Sequence, residues 1–409
     1  MNKSEGGLGV PNIEWIYTAT RISHLLRILN NDDPTVRTMA RGSLLLDLSK
    51  RKIPLAPHGE PSFLGFRKKP SGKLDTRAKR FEVCSDWPDL NDLCSSNNIQ
   101  LNWIHTSGEQ VNVSEELIMD LNVHAEATLH HDESSKKLNS RTCRYEILQH
   151  FHSQQRNYWV NLRLQGKLAC LQCADPAVSH SALHNPAVNA GILKFVIKAR
   201  LQALPTQYNL STWFPKRHDP FCLLHNDKHL ESTAHIMNGC PAFKGLYIAR
   251  HDRIVDITAN ELRKAYGQST IHTNKKVQLN WFTHLNDNSL ESVLKDSPNT
   301  PDIVVVDDLL KTIVILEVGC CFDMYMDLCF SEKMLKYQPL THALTVGGYS
   351  TKLVVLIYGS LGHVHRLCVR GLQIAGLNKK NSKQIAKYCS VSAIIGSLHI
   401  WRRRCHLYP

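Results

Sequence analysis

Apolar positions in the first part of the chain recur at helical spacing. Ile13, Ile16, Thr20, Leu25 and Ile28 predict one helix. Asp33-Pro34 opens a second, because Asp suits an N-cap and Pro suits the first turn. Residues 83–130 read as short helices between polar stretches, for example Trp87–Cys94. His131–Arg141 is polar enough to predict a boundary. Tyr145–Cys170 and Val188–Leu204 return to amphipathic helical spacing. Asn286–Thr300 reads as a polar insertion. Beyond it the texture alternates, with strands at 303–307 and 312–318, a helix near 324–345, a strand at 352–358 and a helix near 362–375. No fixed-period repeat or low-complexity tract interrupts this order. The pattern predicts an α+β chain in four parts: a helical region over 1–130, a helical linker over 142–216, a Cys/His segment over 217–260 and an α/β domain over 261–409.

A length of 409 residues, at roughly 150 per domain, allows about two or three domains. An apolar content of 43% excludes global disorder. Lys plus Arg is 49 against 36 for Asp plus Glu, a net charge of +13 that favours a polyanionic partner, most often nucleic acid. Apolar runs such as Ile303–Val306 and Thr312–Leu316 fall short of the ~20 residues that span a bilayer. The N-terminus lacks the apolar core of a signal peptide, so no membrane association and a reducing, intracellular setting are expected. The 13 cysteines then read as buried thiols or metal ligands. Phe66–Lys73, followed by Arg77, Lys79 and Arg80, is a basic loop broken by Gly and Pro. It reads either as a solvated linker or as a phosphate-contacting loop in which Lys68 and Lys69 make the contacts.

Cys222, His225, His235 and Cys240 form the pattern C-x2-H-x9-H-x4-C. Zinc takes four such ligands in a tetrahedron, and two close pairs joined by a short loop supply them at low closure entropy. His229 is an alternative to His225. With all four positions filled, the ion would be structural. Cys170-Leu171-Gln172-Cys173 lacks a second pair and reads as structural cysteine.

Thr300–Asp308 and Leu309–Gly319 read as an antiparallel hairpin. With the turn centred on Leu309-Leu310, Asp302 falls directly opposite Glu317, with Cβ atoms about 5 Å apart. Carboxylates that close repel unless a cation lies between them, which suits Mg²⁺. A slip of one residue would put the two on opposite faces. On the following helix Lys333, Lys336 and Tyr337 share a face, with the lysines placed to act on a metal-bound phosphate. Asp307-Asp308 falls in the hairpin turn and reads as turn chemistry rather than a polymerase site.

Together these segments resemble the C-terminal part of the polyprotein of R-two-like site-specific non-LTR retrotransposons. Gly6–Pro11 looks like the element after the reverse-transcriptase thumb. Lys198–Thr206, Asn209-Leu210 and Trp213 are similar to the helix leading into that family's zinc knuckle, and Arg250-His251-Asp252 matches its Arg-His-x element. Pro301-Asp302, Glu317 and Lys333-x-x-Lys336-Tyr337 match its restriction-like endonuclease, a PD-(D/E)xK variant. In the usual triplet the lysine falls at Gly319; in the family it sits on the next helix, where Lys333 stands. His225 replaces the family's second knuckle cysteine. The resemblance implies a restriction-endonuclease-like C-terminal domain that nicks target DNA to prime reverse transcription. Asp302 and Glu317 would hold Mg²⁺, and Lys333, Lys336 and Tyr337 would assist. Arg250 and His251 would bind DNA phosphates, and the zinc knuckle would bind nucleic acid. Target DNA and the element's RNA would be partners in the nucleus. No fingers or palm precede Gly6, so a fragment without polymerase activity is expected. The competing expectation is a catalytically dead nucleic-acid-binding fragment.

Overall fold

The computed structural model describes residues 7, 9–57, 60–77, 86–107, 114–120, 122–131, 134–163, 165–186, 188–266, 270–282 and 300–408. Gly6, Leu8, Lys79, Arg80, Asp132, Glu133 and nearly all of the Asn286–Thr300 insertion lie outside the described residues. The chain divides into two compact units. One is Val10–Arg156; the other is Met1–Gly9 with Asn157–Pro409. Helix and sheet are both present, as the α+β reading expects.

In the Val10–Arg156 unit, α1 (Ile13–Leu29) and α2 (Pro34–Lys50) form as the spacing predicts, and Asp33 Oδ1 accepts from Thr35 N at 2.8 Å to cap the second. A small ribbon follows, β1 (Ser62–Phe63) paired with β2 (Phe66–Arg67). After α3 (Asp86–Ser96) the helical reading of 83–130 is corrected. A three-stranded antiparallel sheet runs through β3 (Ile99–His105), β4 (Val123–His131) and β5 (Ser134–Leu138). The boundary expected at His131–Arg141 is therefore a hairpin, and α4 (Cys143–Val160) follows it. Buried and half-buried positions alternate along β3 and β4, which is the period of a sheet with one covered face. Arg41 is buried in this core. Its guanidinium donates to the carbonyls of Leu29, Ile118, Asp120 and Val123 and lies 5.0 Å from the Trp103 ring centroid. Burial pulls its pKa down to about 10, and Arg37 contributes in the same direction.

The other unit holds α5 (Ala190–Arg200), α6 (Gln207–Trp213), α7 (Lys244–Tyr266) and a four-stranded sheet. The sheet order is β6 (Thr270–Thr273), β7 (Ile303–Asp307), β8 (Thr312–Cys321) and β9 (Ser350–Gly359). The first three strands are antiparallel; β9 runs parallel to β8 through the crossover helix α8 (Met326–Val346). The short α9 (Cys368–Ile374) and the long α10 (Lys379–Leu407) complete the unit. One sheet face, with Ile303, Val305, Leu316 and Leu356, packs on apolar residues of α7, α9 and α10. The other, with Val304, Val306, Ile313 and Ile315, packs on Tyr337, Leu340 and Leu344 of α8. The sheet is covered on both sides, which is why β7 and β8 read as continuous apolar runs rather than alternating ones. No helix among the described residues is long and apolar enough to cross a membrane.

Candidate metal centres and nuclease site

The knuckle begins where Phe221 bridges Leu230 and Cys222 N donates to His229 O at 2.9 Å, closing a tight loop. His235–Gly239 then forms a single π turn, with Cys240 N donating to His235 O at 2.8 Å. The ligand atoms of Cys222, His225, His235 and Cys240 all lie within 4.8 Å of one another. The two sulfurs are 3.9 Å apart and the two Nε2 atoms 3.0 Å apart. A tetrahedral zinc site has edges of about 3.8 Å between sulfurs and about 3.4 Å between imidazole nitrogens, so the donor set fits one zinc. The cluster takes in His225 and leaves out His229, which is exposed and whose ring centroid lies 5.7 Å from that of His225. Burial, reinforced by His225 and His229, pushes the His235 pKa down to about 4 and keeps it in the neutral form that ligates. Cys170 and Cys173 join no ligand cluster among the described residues.

A buried acid that no sequence pattern singled out holds the knuckle in place. Glu231 is 0% exposed. It accepts from Arg404 Nη2 at 2.5 Å, from the Tyr408 hydroxyl and from Gln207 N at 2.8 Å. Tyr408 Oη in turn accepts from Leu223 N at 3.0 Å. One carboxylate thus joins α6, the knuckle loop and the end of α10. On its other side the knuckle meets the sheet, where Asn238 Nδ2 donates to Cys320 O at 3.0 Å.

The β7–β8 register pairs Ile303 with Leu316 and Asp307 with Thr312. Asp302, one residue before β7, therefore faces Glu317 as the turn placement predicts. They are 8% and 2% exposed, respectively. Asp302 Oδ2 accepts from Val318 N at 2.7 Å and lies 3.3 Å from His251 Nε2. Its Oδ1 makes no hydrogen bond among the described residues. Glu317 Oε2 accepts from Asp302 N at 3.3 Å, and Lys333 Nζ donates to Glu317 Oε1 at 2.5 Å. Burial and then the charge of Asp302 raise the Glu317 pKa, while Lys333 opposes them.

Gly319 explains how a lysine from the next helix reaches this point. A Cβ at 319 would lie 2.5 Å from Ile357 Cδ1 and 3.1 Å from Lys333 Cε. A side chain there would occupy the space through which Lys333 passes. Glycine inside an apolar strand is a readable mark of such close approach.

The remaining sequence-predicted residues divide. Tyr337 is fully buried; its hydroxyl donates to Thr300 O at 3.0 Å and accepts from the exposed Lys336 Nζ at 2.8 Å. It supports the loop carrying Asp302 and is closed to nucleic acid. Arg250, expected on a phosphate, is 3% exposed. Its Nη1 donates to Ser397 Oγ at 2.8 Å, and its stem packs where Gly396 lacks a side chain. That placement corrects its reading as a phosphate contact: it is an interior helix–helix residue between α7 and α10. His251, also expected on DNA, lies at the acid pair, with Asp252 Oδ1 at 3.1 Å and Val318 O at 3.2 Å besides Asp302. Burial lowers its pKa, but the hydrogen bond and charge of Asp302, then Asp252 and Val318 O, outweigh this and bring it to about 9. In the other unit Lys68 is half-buried, its amine pKa lowered by burial, and Lys69 is exposed at a turn closed by Lys69 N to Lys73 O at 2.8 Å.

Compared with known proteins, the chain matches no family model and no curated protein sequence.

Proposed function

We propose that the chain is the endonuclease part of an R-two-like retroelement protein, a metal-dependent hydrolase that nicks DNA at Asp302, Glu317 and Lys333. The observation that carries this reading is the convergence of two buried acids from one hairpin with a lysine from α8, through a gap left by Gly319. A structural ion pair does not require a second carboxylate in the same pocket, and that carboxylate makes the pocket costlier. The same residues support reading this sheet and its helices as restriction-endonuclease-like.

Asp302 and Glu317 are the residues that would hold Mg²⁺; such an ion lowers the pKa of water and neutralises phosphodiester charge. Val318 N and His251 fix Asp302 Oδ2, while Oδ1 makes no hydrogen bond among the described residues. Lys333 carries its charge to the acids and, when released from Glu317, places an ammonium beside a bound phosphate. Lys336, exposed one turn on, adds a second cation at the rim. The zinc-bearing knuckle, the basic surplus and Lys68 and Lys69 would bind the target DNA and element RNA. Nicking chromosomal DNA to prime reverse transcription places the protein in the nucleus.

One observation favours a second reading, a nucleic-acid-binding protein without catalysis: Lys333 and His251 already compensate both acids. Nicking of supercoiled plasmid with Mg²⁺ or Mn²⁺ separates the two. The nuclease reading expects open circles from the wild type and none from Asp302→Ala. Identical traces for both proteins would leave the second reading.

A further inference from the structure

Trp213 and Phe214 are 47% and 51% exposed, although each ring is a large apolar surface whose exposure is costly. They end a segment whose backbone is held from several sides. Thr206 caps α6 by accepting from Asn209 N at 3.3 Å. Asn209 Nδ2 donates to the carbonyls of Gln202 and Leu204 at 2.8 and 2.7 Å. Gln207 N and Tyr208 N donate to Glu231, at 2.8 Å to the carboxylate and 3.3 Å to its carbonyl. The rings are thus presented by a backbone tied to the knuckle.

Beyond α6, Arg217 N donates to Phe214 O at 3.0 Å. Phe214-Pro215-Lys216-Arg217 is therefore a β-turn with proline at its favoured second position. It exposes Lys216 and Arg217, and neither forms a salt bridge among the described residues. The His218 ring lies 6.4 Å from that of Phe214. Asp219 is the one acid next in sequence. Two exposed rings followed along the chain by two exposed cations match the two faces of a nucleotide: a flat π surface and a phosphate.

From this we infer that Trp213, Phe214, Lys216 and Arg217 form a stacking platform for unpaired nucleotides of single-stranded DNA. Bases inside a duplex are stacked on each other and offer no free face to a ring on a convex turn; splayed bases do. The inference does not rest on the nuclease reading, since none of these residues belongs to the acid site.

The test uses the full chain in an Asp302→Ala background, so that no strand is cut, with zinc bound and no added Mg²⁺. Fluorescence anisotropy reads binding of a labelled oligothymidylate and of a matched duplex. Trp213→Ala and Phe214→Ala are each expected to weaken oligothymidylate binding by about 5- to 100-fold, at one stacked base per ring, and to change duplex binding far less. Trp213→Phe keeps a stacking ring and restores most of the affinity. Lys216→Gln and Arg217→Gln should each flatten the salt dependence by about 0.7 in log–log slope. Circular dichroism and zinc content, unchanged in these surface variants, show that the fold is intact. Wild-type oligothymidylate affinity in the Trp213→Ala/Phe214→Ala double variant would overturn the inference. So would an equal loss of duplex binding, or binding of anionic vesicles or a protein by these rings in place of oligothymidylate.

Discussion

The knuckle and the acid hairpin are joined through Asn238 and Cys320, yet their titratable groups are arranged in opposite ways. In the knuckle, the ligand atoms of four residues, two Cys and two His, lie within 4.8 Å of one another. Soft ligands can wait neutral: His235 is held unprotonated, and burial pushes the Cys240 thiol up to about 11 until an ion arrives. At the hairpin the groups are two buried carboxyls, and burial with the charge of Asp302 raises the Glu317 pKa. The protein supplies its own countercharges there, Lys333 on Glu317 and His251 on Asp302. A structural zinc site can be preassembled, whereas a site for a hard, exchangeable ion needs groups that stand in for the ion and then yield.

The largest effect that would break this contrast is loss of zinc. One zinc per chain is expected by metal analysis. Cys222→Ser, or chelation, should cost several kcal/mol and lower the melting temperature by roughly 10 °C or more. Equal melting with and without zinc would make the four ligands incidental. Next comes Glu231→Gln, which leaves Arg404 buried without its ionic partner and should cost about 3–5 kcal/mol in denaturant unfolding. Gly319→Ala should cost about 1–3 kcal/mol by overpacking against Ile357 and should displace Lys333, reducing nicking as well as stability. An alanine variant that nicks normally would show that Lys333 does not need that gap.

A further effect is pH-dependent, is spread over more than two pH units, and lies outside both the knuckle and the acid pair. His180 is buried, and burial, then Arg200, His363 and His184, pull its pKa down to about 3 from 6.5. A base with a depressed folded pKa contributes stability that is full above its unfolded value and is lost as pH falls. Unfolding free energy should therefore decline from about pH 6.5 toward pH 4, by at most about 1.4 kcal/mol per unit from this one proton. His180→Asn, which can still accept from Arg200, should remove that slope in denaturant titrations.

Legibility in the sequence followed the range of the determining contacts. The knuckle is local, so spacing alone pointed to the four residues whose ligand atoms cluster; separating His225 from His229 required the loop's path. The hairpin register was readable because a placed turn and a period of two leave little freedom. The strands β3 to β5 were missed although Ile99, Leu101, Trp103 and then Val123, Ala125, Ala127, Leu129 alternate. Two alanines of low strand propensity in β4 weakened that signal. Helix α10 was missed because small polar residues, Ser382, Ser390, Ser392 and Ser397, are buried among Ile385, Ala386, Cys389, Ala393, Ile394 and Leu398 and blur its apolar stripe in the sequence. Arg250 looked like a surface cation, and only packing against Gly396 shows it to be internal. His251 shares its sequence motif but lies one position round the helix, which is enough to reach Asp302.

The central question is whether Asp302 and Glu317 together hold one hard ion. Electron paramagnetic resonance of Mn²⁺ added to the zinc-loaded protein measures this. One bound Mn²⁺ per chain is expected, displaced by Mg²⁺ and lost in both Asp302→Ala and Glu317→Gln. A wild type that binds no Mn²⁺, or binding that survives both substitutions, would contradict such a shared site.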